Sequence, residues 1–309
     1  MIRAAVLGAS GMVGQHYVAL LQEHPWFEIA LLTASERSIG RRLSEGEWFP
    51  RMPLLRDWEL TEGTFEALSE CDVVFSCMGG GEELERALAR AGVVVISHNA
   101  VHRKDPQIPL VIPEINGTKA PLIAKPNCAH QSYTMALAPL RPFGIEQVTV
   151  TTLQSLSGAG KGAMGGTELS PHIPGEAEKC ETEPLRILER VFPISATCVR
   201  VPVPYGHYAS VSVTFTRRPT EREILEAWAD FPGLDLPTAP KRPLVVDYEL
   251  DIWRERGMAI SVGHLRPSAT HDWQFLSAAH NVIRGAAGGG LLTAECAFHD
   301  SKSRRELPV

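Results

Sequence analysis

The chain has 309 residues, 44% of them hydrophobic and 21% charged, with a formal net charge of −6. That length favours two domains, and the composition supplies ample apolar material for a core. Basic residues are scattered, which argues against a nucleic-acid partner or an acidic membrane surface, and no apolar run approaches the roughly 20 residues of a spanning helix. Residues 1–7 enter a strand at once, without the layout of a secretory signal. The six cysteines lie far apart, with no CxxC pair and no zinc spacing, so reduced thiols in a cytoplasm and no bound metal are expected.

Residues 2–7 form a short apolar strand, followed by Gly8-Ala9-Ser10-Gly11-Met12-Val13-Gly14 and an amphipathic helix to about Gln22. Glycines between a first strand and a first helix let the backbone turn tightly and approach a pyrophosphate resting on the helix N-terminus. A plain turn is the alternative, since glycine turns are common. Gly8, Ser10, Gly11, Met12 and Val13 are the candidate dinucleotide contacts. A second strand over residues 28–34 runs into Ser35-Glu36-Arg37-Ser38. A guanidinium flanked by hydroxyls suits a 2′-phosphate, so Ser35, Arg37 and Ser38 point to NADP. Glu36 leaves NAD open, and Arg37 has the alternative of a solvated loop charge.

Residues 71–77 read as a buried strand ending in Met78-Gly79-Gly80-Gly81, where Gly79 can lie against a cofactor. A helix over residues 82–91, a strand over 93–96 and an apolar segment over 109–113 continue an alternation that predicts a doubly wound parallel sheet, a Rossmann-type domain over residues 1–127. Lys125-Pro126-Asn127-Cys128-Ala129-His130 then opens an apolar helix. Pro126 biases Lys125 to extended backbone and Asn127 is a good N-cap, which puts Cys128 at a helix N-terminus. There the amides and the macrodipole favour a thiolate. The commoner fate of a free cysteine is that of a small buried hydrophobe. Of the other thiols, Cys71 and Cys77 are expected in or at a buried strand, and Cys198 at the start of another. Cys180 on a charged helix and Cys296 near the end are candidates for exposed thiols that stay protonated.

Beyond that helix the pattern changes. Strands are expected over residues 148–153, 198–204, 209–215, 244–248, 258–265 and 273–278, with helices over 176–191 and from Thr220, whose Glu223 completes a capping box. This predicts an α+β domain over residues 128–280 with a mostly antiparallel sheet. A long Gly/Ala-rich helix is expected from Asn281 to Glu295, within a C-terminal span, residues 281–300, that rejoins the first domain.

Taken together, Gly8 to Gly14, Pro126-Asn127-Cys128, Ser157-Gly158-Ala159-Gly160, the run from Arg200 to His207 and the Asn281-Val282-Ile283-Arg284-Gly285-Ala286-Ala287-Gly288 ending resemble the aspartate-semialdehyde dehydrogenase family, closest to its archaeal and fungal branch. The resemblance runs in order along the whole chain. It implies reversible reduction of aspartyl-β-phosphate by NADPH through a cysteine thioester, releasing inorganic phosphate, in a homodimer or homotetramer. Carried over by position, it implies that Cys128 is the nucleophile, with Asn127 holding the phosphate and orienting the thioester and Gln154 positioning the acyl group. It makes Arg103 and Lys179 the phosphate-binding cations, Glu176 the carboxylate that receives the substrate amine, Arg200 the clamp on the α-carboxylate and His207 the acid/base. Ser157, Gly158 and Asn281 join the cofactor contacts. An acyl phosphate does need a soft nucleophile, cations for the leaving group and a proton donor, and a forked arginine suits a small carboxylate.

The chain departs from the family where Ala129-His130 replaces Ser-Thr and where Cys77-Met78-Gly79-Gly80 replaces Ala-Leu-Pro-Ser. It departs again where Lys161-Gly162-Ala163-Met164 stands for a loop with a Tyr-Pro pair. A paralogue with another acyl phosphate or an acyl-CoA such as malonyl-CoA, and a non-catalytic NADP-binding sensor, are the alternatives. Glu176 and Arg200 together favour an α-amino-acid head.

Overall fold

The computed structural model describes residues 1–236 and 251–298. The strand expected at 244–248, and residues 299 and 300 of the C-terminal span, lie outside the described residues. The described residues form two compact units, one of Met1–Pro113, Gly117–Pro126 and residues 286–298, the other of Glu114–Asn116 and residues 127–236 and 251–285.

The first unit is built on a five-stranded parallel sheet of β1 (Ile2–Leu7), β2 (Phe27–Thr33), β3 (Val73–Ser76), β4 (Val94–Ser97) and β5 (Leu122–Ala124), in the order β2-β1-β3-β4-β5. The order reverses beside β1, the switch point at which open α/β sheets hold ligands. β3 is buried at every position, as expected of a strand covered on both faces. α1 (Met12–Leu21), α2 (Phe65–Ser69), α3 (Glu82–Arg90), α4 (Ala100–Lys104) and the C-terminal α-helix Gly288–Phe298 belong to this unit. The core joins Ala4, Val6, Tyr17, Phe27, Phe75 and Leu291. Gly14 is dictated by packing, because a Cβ there would lie 2.2 Å from the Gly8 carbonyl oxygen.

In the second unit, α5 (Pro113–Asn116) leads by sequence to α6 (Cys128–Leu137), then β6 (Ile145–Gln154), α7 (Glu176–Leu188), β7 (Ile194–Arg200), β8 (His207–Phe215), α8 (Glu221–Ala229), β9 (Leu234–Asp235), β10 (Ile260–Pro267) and β11 (Trp273–Ala279). Their order is β7-β6-β8-β11-β10-β9. The β6–β8, β8–β11 and β11–β10 pairs are antiparallel, while β6–β7 and β10–β9 are parallel. β8 alternates strictly, with His207, Ala209, Val211, Val213 and Phe215 buried, and α6 packs against β8 and β11.

Two expected elements are corrected. The strand placed at 198–204 is β7, Ile194–Arg200, because Pro202 and Pro204 have no N–H to give a ladder and end it. The single helix expected from Asn281 is instead a π-helical turn, Ile283–Ala287, ahead of the α-helix Gly288–Phe298, labelled α9. Glycine at 285 and 288–290 weakens the α-helical start, and the wider turn presents the Gly285 carbonyl to Gln131 Nε2 at 2.7 Å.

Candidate active site

Asn127 starts the thiol helix. Its Oδ1 accepts from the Ala129 N–H at 2.7 Å, the N-cap bond that satisfies an orphan amide of α6. Cys128 is then the first residue of the helix and partly exposed, whereas Ala129, His130 and Gln131 behind it are buried. Its Sγ lies 3.3 Å from His207 Nε2. A Cβ at Gly285 would come within 2.7 Å of the Cys128 Cβ, so only glycine admits the thiol in this place.

Sheet register supplies the next three side chains. Gln154 on β6 pairs with Arg200 on β7 and with His207 on β8. Residues opposed across neighbouring strands share a face, so Arg200, Gln154 and His207 form one row on the side that α6 covers. Gly158 packs against this row, and a Cβ there would lie 2.9 Å from both Arg200 Nη1 and His207 Cε1. Arg200 Nη1 donates to the Ser155 carbonyl at 2.6 Å, and Gln154 Nε2 donates to Thr152 Oγ1 at 3.2 Å.

The Ser155 backbone N–H donates to His207 Nδ1 at 3.1 Å. A backbone amide can only donate, so Nδ1 is the acceptor and the neutral ring carries its hydrogen on Nε2, toward Cys128. Burial pulls the His207 pKa down to about 3, with Arg200 adding to the effect and the Gly206 carbonyl opposing it. Burial likewise lowers that of Arg200, against Cys128 and Glu176.

Helix α7 adds the charged groups. Asn127 Nδ2 donates to Glu176 Oε2 at 3.1 Å, and Lys179 Nζ reaches Glu176 Oε1 at 2.5 Å. Cys198 Sγ lies 3.7 Å from Cys180 Sγ, both buried. The exposed setting considered for Cys180 is therefore corrected, since a charged helix still buries the stripe that faces α6 and β7. The Cys180 contact, with a bond from the Thr152 hydroxyl, holds the Cys198 thiol down at about 7 against its burial.

Asn281 is 2% exposed, its Oδ1 accepting from the Gly206 N–H at 2.9 Å and its Nδ2 donating to Ser157 Oγ at 2.9 Å. These bonds brace the Ser155–Ser157 turn. Ser155 and Gly285 are the residues that motif reading misses here. One acts through its backbone and the other by lacking a side chain, so neither leaves a chemical signature.

Arg103 stands in the first unit on α4, whose N-cap is Asn99. Beneath α4 the Asn99 N–H donates to Ser97 Oγ at 3.1 Å, and Ser97 Oγ donates to Glu85 Oε1 at 2.8 Å. Glu85 Oε2 meets His102 Nε2 at 2.5 Å. Arg103 Nη2 donates to the His98 carbonyl at 2.9 Å. Burial, then Lys125 and Arg103, push the His98 pKa well below its usual value, marking a positive setting.

The dinucleotide candidates also lie in the first unit, apart from Ser157, Gly158 and Asn281. Gly11 is the N-cap of α1 and provides no side-chain cap, and the first turn has no acidic residue. An α1 start of this kind is open to an anion, so Gly8, Ser10, Gly11, Met12 and Val13 fit a pyrophosphate. Arg37 and Ser35 are exposed in the turn after β2, Ser38 is half-buried beside them, and Gly79 is exposed after β3. Among the described residues no group of three or more His, Cys, Asp or Glu could hold a metal ion, and no helix is long and apolar enough to cross a membrane.

Comparison with known proteins adds the family. Residues 3–122 match the profile described as semialdehyde dehydrogenase, NAD binding domain, and residues 166–284 match semialdehyde dehydrogenase, dimerisation domain. An aspartate-semialdehyde dehydrogenase of Archaeoglobus fulgidus is 34% identical, over 94% of this chain and 96% of its own. The solved structure of aspartate semialdehyde dehydrogenase with NADP from Candida albicans is 31% identical at a TM-score of 0.82, covering 96% of this chain and 98% of that one. Aspartate semialdehyde dehydrogenase II complexed with ASA, from Vibrio cholerae, is 26% identical at a TM-score of 0.79, covering 97% and 99%. With both profiles in order and relatives aligned from end to end, the chain belongs to the semialdehyde dehydrogenase family.

Proposed function

We propose that the protein is an NADP-dependent aldehyde dehydrogenase that reversibly reduces L-aspartyl-β-phosphate to L-aspartate-β-semialdehyde and phosphate through a thioester on Cys128. The observation that carries this reading is the 3.3 Å approach of Cys128 Sγ to His207 Nε2 at the end of the Arg200–Gln154–His207 row.

In the reductive direction the Cys128 thiolate attacks the acyl carbon and the C–O bond to phosphate breaks. Arg103 and Lys179 hold the departing phosphate, and Asn127 orients the thioester. When bound, the dinucleotide supplies the hydride that reduces the thioester and takes it back in reverse. The helix N-terminal amides and His207 Nε2–H face the oxygen that becomes negative, the electrostatic help such an intermediate needs. Collapse returns the thiolate and frees the aldehyde. Arg200 forks onto the α-carboxylate, Glu176 receives the amine and Gln154 steers the acyl group. Retention of this Glu–Arg pair supports an amino-acid substrate over a plain acyl-CoA.

Residues 1–127 with the C-terminal return form the NADP domain, and residues 128–280 form the catalytic and oligomerising domain. The dimerisation profile on the second unit supports a homodimer or homotetramer. Small polar substrates and six cysteines outside any disulfide support a cytoplasmic setting. The deciding assay is phosphate-dependent NADP reduction with L-aspartate-β-semialdehyde. Turnover that requires phosphate supports the reading, and activity only with another aldehyde refutes the substrate.

A further inference from the structure

We propose that Glu183 and His130 are positioning residues for the Cys128 thiol. Together they close the N-terminus of its helix from a second helix. The inference rests on Cys128 being the nucleophile.

The N-cap residue of a helix has its own N–H to satisfy. In a capping box, a Glu or Gln at the third helical position reaches back to it. In α6 the third position is His130, following Cys128 and Ala129. A histidine ring that donates there cannot also be the acceptor. The acceptor comes instead from α7. Glu183 Oε2 takes the Asn127 N–H at 2.7 Å, and the same oxygen lies 2.9 Å from His130 Nε2. His130 Nδ1 is held in turn by Thr134 Oγ1 at 3.0 Å. The third-position side chain thus grips the carboxylate that completes the box.

Both groups are deep, His130 at 0% and Glu183 at 5% exposure. A buried pair of this kind adds little stability compared with apolar residues of the same volume. What it adds is placement. Asn127 is held on three sides, by Glu183 at its N–H, by Ala129 at its Oδ1 and by Glu176 at its Nδ2. Cys128 follows in the chain, its Cβ wedged against Gly285 and its sulfur facing His207. Pro184 explains why α7 can come so close. It has no N–H for the Cys180 carbonyl one turn earlier, and the buried Tyr133 hydroxyl of α6 donates to that carbonyl instead. A misplacement of about 1 Å at a reacting atom can lower a rate on the order of a hundredfold.

The test measures Cys128 alkylation by iodoacetamide, followed by peptide mass spectrometry, alongside kcat and KM in the oxidative assay. His130→Ala and Glu183→Ala are expected to lower both the alkylation rate and kcat about ten- to a hundredfold, with KM for NADP within about twofold of wild type. Glu183→Gln keeps an oxygen for both donors and should stay within about threefold of wild type. Glu183→Asp keeps the charge but is a methylene short, and should fall with alanine even if the alanine variant does not fold. A merely structural pair would lower the melting temperature and leave kcat and alkylation unchanged in folded protein, which would overturn the proposal. Glu183→Gln behaving like Glu183→Ala would overturn it too. Because alkylation needs no substrate, failure of the substrate assignment would show separately, as wild-type protein without turnover whose thiol still responds to these changes.

Discussion

The Ser155 backbone N–H and the His207 Nδ1 lie 3.1 Å apart, and this one bond decides which proton the imidazole offers. Protonating Nδ1 would set two donors against each other at a ring that is 0% exposed. Burial acts in the same direction and takes the ring from 6.5 to about 3. His207 therefore meets the sulfur as a neutral N–H donor rather than as a base waiting for the thiol proton. We expect no acid limb from His207 in the pH profile of kcat between pH 5 and 8. An ionisation near 6.5 that disappears in His207→Gln would contradict this assignment.

The same shift has a consequence for stability. An unfolded chain protonates its histidines below about 6.5, whereas His207 stays neutral down to about 3 and His16 down to about 4. Below pH 6.5 the unfolded state then binds more protons, so stability falls as pH falls, and the loss runs until the folded values are reached. At pH 5 each of the two should contribute a loss of about 2 kcal/mol. Urea midpoints at pH 7.5 and 5.0 measure it. His207→Gln should flatten the dependence by about that amount, and an unchanged slope would count against the buried neutral ring.

Steric closeness gives a sharper test of the thiol's seat. A Cβ at Gly285 would stand 2.7 Å from the Cys128 Cβ. Gly285→Ala must therefore push the thiol or the π-helical turn aside, at about 1–3 kcal/mol of stability. We expect a fall in kcat of about tenfold or more with NADP affinity retained. Wild-type kcat in this variant would mean that the sulfur does not sit where it must react.

On the proposed reading, cofactor preference turns on the loop after β2. Arg37 is exposed there beside Ser35 and Ser38. Its pairing with a 2′-phosphate would be a charge-assisted contact of about 1.5–3 kcal/mol. Arg37→Ala should raise the NADP KM about ten- to a hundredfold and leave NAD nearly unaffected. An unchanged NADP/NAD ratio would remove Arg37 from the site.

Much of this arrangement could be read from local sequence, and the remainder depends on partners far along the chain. Pro126-Asn127 ahead of Cys128 gives a helix start from adjacent residues, and the alternation of β8 gives a half-buried strand. The row of Arg200, Gln154 and His207 is different, because nothing in three separate strands fixes their mutual register. Glu183 likewise looks like one more acid of a charged helix until α7 is laid against α6, 53 residues from its partner His130. The burial of Cys180 is hidden for a related reason, since the composition of its helix says nothing about which stripe faces inward. The end of β7 is obscured because apolar Val201 and Val203 look strand-like, while Pro202 and Pro204 break the ladder between them.

Thiol reactivity tests the nucleophile most directly. None of the six cysteines is in a disulfide, and they differ in access, with Cys71, Cys180 and Cys198 buried and Cys77, Cys128 and Cys296 partly exposed. Cys128 is partly exposed at the head of α6, where the helix amides favour a thiolate. Cys198 is held down at about 7, yet it is only 4% exposed and faces Cys180. Ionisation without access should leave it slow, which separates the two requirements within one molecule. We expect brief iodoacetamide treatment of the native protein to label Cys128 first and abolish turnover. Cys180 and Cys198 should react only once the protein is unfolded. Cys128→Ser should still bind NADP and lose nearly all activity, because an alcohol is far harder to ionise than a thiol. Mixing with acyl phosphate before any NADPH should leave an acyl group on the Cys128 peptide. An adduct on another residue, or a fully active serine variant, would place the chemistry elsewhere in the chain.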